Sequence, residues 1–182
     1  MRVTAAVFLL ALSHQARASE ALWKRLQTEP NLVVLMRHAK TAGGNPLTWD
    51  PSGQCKGERM LTEEGRNYSR RLGEEFRKRQ LSPVAISSPM CRTRDTATLA
   101  FGSAVTDPDL REIASAEAAQ KKAFERKAKE LLMKHRGAKP VVFVSHRPNI
   151  EALTLEIVTT GELLIGKIGE DGEVEVVGRI KL

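Results

Sequence analysis

Three uninterrupted apolar runs set the terms for what this chain can fold into: Asn31–Met36 (NLVVLM), Val84–Ser87 (VAIS) and Val141–Ser145 (VVFVS). Each has strand length, and none alternates polar with apolar residues, which is the pattern of strands buried on both faces. Such strands need helices above and below, and the stretches between them supply these. Thr62–Gln80 opens on a threonine N-cap followed by Glu63 and Glu64, both suited to a first helical turn. Ser88-Pro89 reads as the start of a second helix reaching about Phe101, Ser115–Arg136 as a third ending at Gly137, and Pro148 as the opening of a fourth reaching about Thr159. A short helix is expected over Ser19–Thr28, a minor strand near Val105, and a hairpin from Leu163–Ile168 and Glu173–Ile180 closed by Glu170-Asp171-Gly172. Thr41–Arg59, rich in Gly, Pro, Asn and Asp, reads as a long loop. Strands alternating with helices predict one α/β domain, a three-layer α/β/α sandwich with a largely parallel central sheet.

Open parallel sheets bind ligands beyond the carboxyl ends of their strands. Arg37-His38 follows the first run, Ser88 to Arg92 the second and His146-Arg147 the third. Two imidazoles and at least two guanidiniums are thereby brought to one rim, with helix N-termini near Pro89 and Pro148 aimed at the same place. This is a pocket for a small, doubly charged oxyanion. A net charge of +7, from 29 Lys and Arg against 22 Asp and Glu, points to an anionic partner without naming it. Nucleic acid is disfavoured, because aromatic residues make up only 4%, too few for a base-stacking surface. Zinc takes three or four protein ligands, and no third accompanies His38 and His146, so no metal is expected.

The same residues carry a family resemblance. LMRHAKT (Leu35–Thr41) resembles the Arg-His-Gly signature of the histidine phosphatase superfamily, which includes the phosphoglycerate mutases. SSPMCRTRDTA (Ser87–Ala97) is similar to the superfamily's second motif, VSHRPNI (Val144–Ile150) to the segment with its second histidine, and LTEEG (Leu61–Gly65) to the helix start between the first two motifs. The resemblance implies a phosphoglycerate mutase-like fold and phosphoryl transfer without metal or organic cofactor. It makes His38 the nucleophile that becomes phosphohistidine, Arg37 and Arg92 the bidentate clamp on phosphate oxygens, and His146 a hydrogen-bond donor to them. Three cationic groups around His38 should depress its pKa and keep it neutral. Glu112 is the best positional match for the carboxylate that protonates the leaving alkoxide, ahead of Asp109 and Glu117. Thr41, Asn45, Ser88 and Arg147 are expected at the substrate, Asn45 being one residue displaced from the usual phosphate-contacting asparagine. Ala39 stands where glycine is usual, and Arg147 follows His146 where glycine is common. Mutase-type substrate loops are not recognisable, which favours a phosphatase.

Met1-Arg2, the apolar Val3–Leu12 and a polar stretch ending Ala16-Arg17-Ala18 follow the order of a secretory signal peptide. Residues 1–18 are accordingly expected to be removed, leaving residues 19–182 as the phosphatase domain and taking the charge from +7 to +5 with Arg2 and Arg17 gone. That places the mature protein in the periplasm or outside the cell. A secreted chain with this layout resembles the lipopolysaccharide core heptose(II)-phosphate phosphatases of that superfamily, so a sugar phosphate or lipopolysaccharide phosphate is the favoured substrate. Two other functions remain open: a phosphohistidine-protein phosphatase, which also tends to carry Arg-His-Ala, and a catalytically inactive phosphate-binding module. Cys55 and Cys91 either pair across the long loop or remain two thiols. Lys121, Lys122, Lys127, Lys129 and Lys134 read as a solvated helix face, with docking on an anionic membrane surface as the alternative. His135 reads as a surface residue closing that helix.

Overall fold

The computed structural model describes residues 17–182. All of the expected signal peptide except its last two residues, His14 included, lies outside that range. The described chain runs α1 (17–28), β1 (Leu32–Arg37), β2 (Thr41–Ala42), β3 (Met60–Leu61), α2 (Glu63–Lys78), β4 (Val84–Ser87), α3 (Cys91–Phe101) and β5 (Val105–Thr106). A 3-10 turn at Pro108–Leu110 then leads to α4 (Ala118–His135), β6 (Val141–Ser145), α5 (Arg147–Thr154), β7 (Glu162–Ile168) and β8 (Val174–Lys181). The main sheet has the order β5-β4-β6-β1-β7-β8. Its first four strands are parallel, and β7 and β8 complete it as an antiparallel hairpin. The expected sandwich and its largely parallel sheet are therefore present.

The uninterrupted apolar runs have the predicted cause. Along β1, Leu32, Val34 and Met36 face the core layer built with Trp23, Leu72 and Phe76. Val33 and Leu35 face the opposite layer, with Phe124, Leu132 and Phe143. Every residue from Leu32 to Met36 is at most 1% exposed, so only the last position of the strand, Arg37, can be polar. Burying such side chains contributes about 1.5–3 kcal/mol each.

Register delivers the site. Arg37 stands opposite Ser145, and Ser87 opposite Val144. One residue further, His38 N–H donates to the Ser145 carbonyl at 3.0 Å and Ser88 N–H to that of Val144 at 3.2 Å. The ends of β1, β4 and β6 are thus level. Thr62 caps α2 by accepting from Gly65 N–H at 3.0 Å. The glycine itself is required there, because a Cβ would collide with the Lys40 carbonyl just beyond His38.

Some expected boundaries move. Helix α3 begins at Cys91 with Met90 as a non-bonding cap, not at Pro89 under Ser88. Helix α5 stops at Thr154, well before Thr159, because Leu155 turns left-handed at φ 59°. His135 ends α4 half-buried, not on the surface. Among the described residues, no helix is long and apolar enough to cross a membrane.

Candidate active site

Strand β1 ends where His38 begins, and the ring is only 6% exposed. Its Nδ1 lies 2.8 Å from the Ala39 carbonyl. A carbonyl can only accept, so Nδ1 carries the proton and Nε2 keeps its lone pair. Burial lowers the pKa of His38 from its usual 6.5 to about 4, against the Ala39 hydrogen bond, and the positive charges of Arg92, Arg37 and Arg59 push the same way. A neutral imidazole with one nitrogen tied back is a pre-oriented nucleophile.

Arg92, on the first turn of α3, is 1% exposed. Its Nη2 donates to the Pro46 carbonyl at 2.9 Å, to Glu112 at 2.5 Å and to His146 Nδ1 at 3.2 Å. Its Nη1 is buried and has no hydrogen-bond partner among the described residues. A buried N–H donor without an acceptor costs about 1–3 kcal/mol, which suits a site built to receive an anion.

His146 caps α5 and is 1% exposed. Arginine can only donate, so Nδ1 accepts and the ring proton sits on Nε2, which donates to Ser88 Oγ at 2.9 Å. Burial, then Arg92, His38 and Arg37, hold its pKa well below the usual 6.5. The two imidazoles lie 5.5 Å apart, edge to face. In this arrangement His146 braces Arg92. Donation to a phosphoryl oxygen, as the resemblance implies, requires Nε2–H to leave Ser88 Oγ, or the ring proton to shift to Nδ1 while Ser88 Oγ–H turns to donate to Nε2.

Glu112 is the carboxylate brought to the site. Its side chain is 17% exposed, and it reaches both Arg92 and, at 3.9 Å, His146 Nδ1. Burial raises its pKa and outweighs the opposing charges of Arg92 and Arg37. A carboxyl biased toward its neutral form can serve as a general acid. Its backbone is fixed by Asn149 of α5, whose Nδ2–H donates to the Arg111 carbonyl at 3.0 Å and whose Oδ1 accepts from Ile113 N–H at 3.2 Å. The residues on either side of Glu112 are thus held by one amide. Asp109 instead pairs with Arg126 at 3.5 Å, and Glu117 is an exposed cap of α4.

The remaining expected site residues divide. Ser88 supports His146. Thr41 sits half-buried in β2, opposite Leu61. Asn45 serves a turn, with Oδ1 accepting from Leu47 N–H at 2.9 Å, and is exposed. Arg147 is exposed at the start of α5. The additional guanidinium acting on His38 is Arg59, half-buried, with Nε lacking a partner among the described residues. Its place two residues before the LTEEG motif was the one available signal.

The N-terminus of α3 is also used differently from expectation. Buried Glu58, in the long loop, accepts Cys91 N–H at 2.7 Å and Asp50 N–H at 2.9 Å. The anion at this helix start is therefore an internal carboxylate. Cys55 and Cys91 form a disulfide with their Cα atoms 5.8 Å apart, resolving the open pairing in favour of the bridge.

The profile of the Histidine phosphatase superfamily (branch 1) matches residues 33–136, more than half of the chain, and contains all the site residues above except His146, Arg147 and Asn149. No curated protein matches the chain. Among solved structures, the protein histidine phosphatase SixA in complex with tungstate is 18% identical with a TM-score of 0.52, covering 82% of this chain and 96% of that one. The SixA protein of Agrobacterium tumefaciens, a putative phosphohistidine phosphatase by description, is 19% identical with a TM-score of 0.53, covering 84% and 99%. A phosphoglycerate mutase from Thermus thermophilus is 24% identical with a TM-score of 0.52, covering 83% and 99%. These likenesses establish the phosphoglycerate mutase-like fold.

Proposed function

Because the chain belongs to the histidine phosphatase superfamily and is a phosphatase of that class, we propose that it is an exported phosphomonoesterase that hydrolyses its substrate through phospho-His38. The observation that carries this reading is the state of His38: Nδ1–H bound to the Ala39 carbonyl, Nε2 unprotonated, and three arginines acting on the ring. In the first step Nε2 attacks phosphorus, the P–O ester bond breaks, and neutral Glu112 gives its proton to the departing alkoxide. In the second, ionised Glu112 takes a proton from water, whose oxygen attacks phosphorus. Phosphate leaves, and His38 is restored with its Nε2 lone pair. Arg37, Arg59 and Arg92 supply fixed positive charge for the transferring group.

The favoured substrate is a sugar phosphate or a lipopolysaccharide phosphate. Export is supported by the order of regions in residues 1–18 and by the Cys55–Cys91 bridge, since disulfides persist in oxidising compartments. Contact with an anionic surface draws support from Lys121, Lys122 and Lys134, which are exposed, whereas Lys127 and Lys129 are spent on ion pairs with Asp107, Glu130 and Glu173.

The test is chemical. The protein should form an acid-labile, alkali-stable phosphoenzyme, absent in His38→Ala together with at least about 10⁴-fold of the turnover. Normal turnover in that variant would sink the mechanism, and phosphate binding without hydrolysis across a substrate panel would favour a binding module. Phosphohistidine peptide belongs in the same panel, because a preference for it would replace the sugar reading. N-terminal sequencing of exported protein should begin at Ser19.

A further inference from the structure

Glu112 faces more than Arg92. It also lines a cavity of about 160 Å³ shared with Leu47, Trp49, Arg111, Ser115 and Gln120. We propose that this cavity is the leaving-group subsite and that it takes a single hydroxylated ring, the alcohol half of a sugar phosphate; the proposal rests on the phosphatase reading above.

Position is the first argument. The departing oxygen must lie within hydrogen-bond reach of Glu112 to receive its proton. Glu112 meets Arg92 and His146 through Oε2 and also lines the space with Trp49 and Gln120, so that space is the one adjoining the acid in which the remainder of the alcohol can lie.

The lining chemistry is the second. Trp49 and Leu47 offer flat and apolar surface, while Gln120, Ser115 and Arg111 offer an amide, a hydroxyl and a guanidinium. A sugar ring has this division, with C–H faces that pack on an aromatic ring and hydroxyls around its edge that need donors and acceptors. An acyl chain would offer no partner to the Gln120 amide or the Ser115 hydroxyl, and methanol would leave the cavity unfilled.

The walls are also fixed, which a specificity site needs. The Arg111 guanidinium stacks 5.2 Å from the Trp49 ring centre, and the Arg111 carbonyl is bound by Asn149. The loop carrying Leu47 and Trp49 is tied down by Arg92 through the Pro46 carbonyl, by Glu58 and by the Cys55–Cys91 disulfide. The phosphate-binding arginine thus also holds a wall of the neighbouring cavity.

The experiment compares kcat/KM for a hexose phosphorylated on a ring hydroxyl with that for methyl phosphate, in the wild-type protein and in Trp49→Ala and Gln120→Ala. The wild type should prefer the hexose phosphate by at least about tenfold, and either variant should bring the ratio toward one mainly through KM, a tenfold change being about 1.4 kcal/mol. Circular dichroism of each variant confirms its fold, and Gln120, on a helix face, provides a reading independent of any loop disturbance at Trp49. No hexose preference in the wild type, or an unchanged ratio in both variants, overturns the subsite. Labelled acetyl phosphate separates the two levels. A phosphoenzyme without hexose preference removes the subsite alone, and no phosphoenzyme from any donor removes the subsite together with the phosphatase reading.

Discussion

The protonation states of two residues determine when this site can work. His38 remains neutral down to about pH 4, whereas an ordinary histidine would already be charged below 6.5. The pKa of Glu112 is raised from its ordinary value because burial disfavours its charge, against the opposing charges of Arg92 and Arg37. The form with neutral nucleophile and neutral acid therefore has its window on the acidic side, so kcat/KM for an alkyl phosphate should fall below about pH 4 and again as Glu112 ionises. In Glu112→Gln the alkaline limb should disappear and kcat/KM for an alkyl phosphate, which reports the phosphorylation half-reaction, should fall about 10²–10⁴-fold, while kcat/KM for p-nitrophenyl phosphate, whose leaving group needs no proton, loses far less. An equal loss on both substrates would remove Glu112 from the acid role. Stability carries the same signature. Between pH 6.5 and about 4 the unfolded chain takes up a proton at residue 38 that the folded chain refuses, so stability falls across that window, by about 3 kcal/mol. Replacing the ring in His38→Asn should flatten this part of the pH–stability curve, measured by denaturant unfolding.

At the scale of elements, strands were more legible than helix ends. β1, β4 and β6 were readable because burial on both faces favours uninterrupted apolar runs, and the residues following them named His38, Arg92 and His146 as neighbours. The start of α3 was not readable, because its capping group is Glu58, 33 residues away in sequence, and Ser88-Pro89 mimics a local cap. Asn149 was equally silent: it belongs to the third motif, yet its work is done on the segment carrying Glu112. Removing that amide in Asn149→Leu leaves the buried Ile113 N–H and the partly buried Arg111 carbonyl without their partner, for a loss of about 3 kcal/mol. The kinetic consequence separates positioning from simple destabilisation. If Asn149 places Glu112, kcat/KM for an alkyl phosphate should drop more than kcat/KM for p-nitrophenyl phosphate at a temperature where the variant is fully folded. Parallel losses would make Asn149 a purely structural residue.

Across the whole molecule, the long loop after His38 is where the sequence said least and the structure adds most. Composition marked Thr41–Arg59 as irregular and left the Cys55–Cys91 pairing open, but nothing local could reveal that the loop also docks on α3 through Glu58 and Pro46, because the partners (Cys91 and Arg92) lie beyond α2 and β4. Three attachments converge there: the Cys55–Cys91 bridge, the Glu58 carboxylate on Cys91 N–H, and Arg92 on the Pro46 carbonyl. Fold stability and site shape are therefore coupled through one helix N-terminus. Closing a loop of 36 residues is worth about 4 kcal/mol in the chain-entropy account. For a chain of this size, reduction, or the double substitution Cys55→Ser with Cys91→Ser, should lower Tm by about 10 °C. The two non-covalent attachments persist after reduction, so the loop should loosen without leaving the site, and the phosphoenzyme should still form. What should suffer is the wall of the Glu112 cavity. KM for a hexose phosphate should rise more than KM for methyl phosphate, because Leu47 and Trp49 ride on the loosened segment while Arg37 and His38 do not. Equal kinetics with and without reductant would mean that Arg92 and Glu58 alone hold the loop, confining the disulfide to a thermodynamic role.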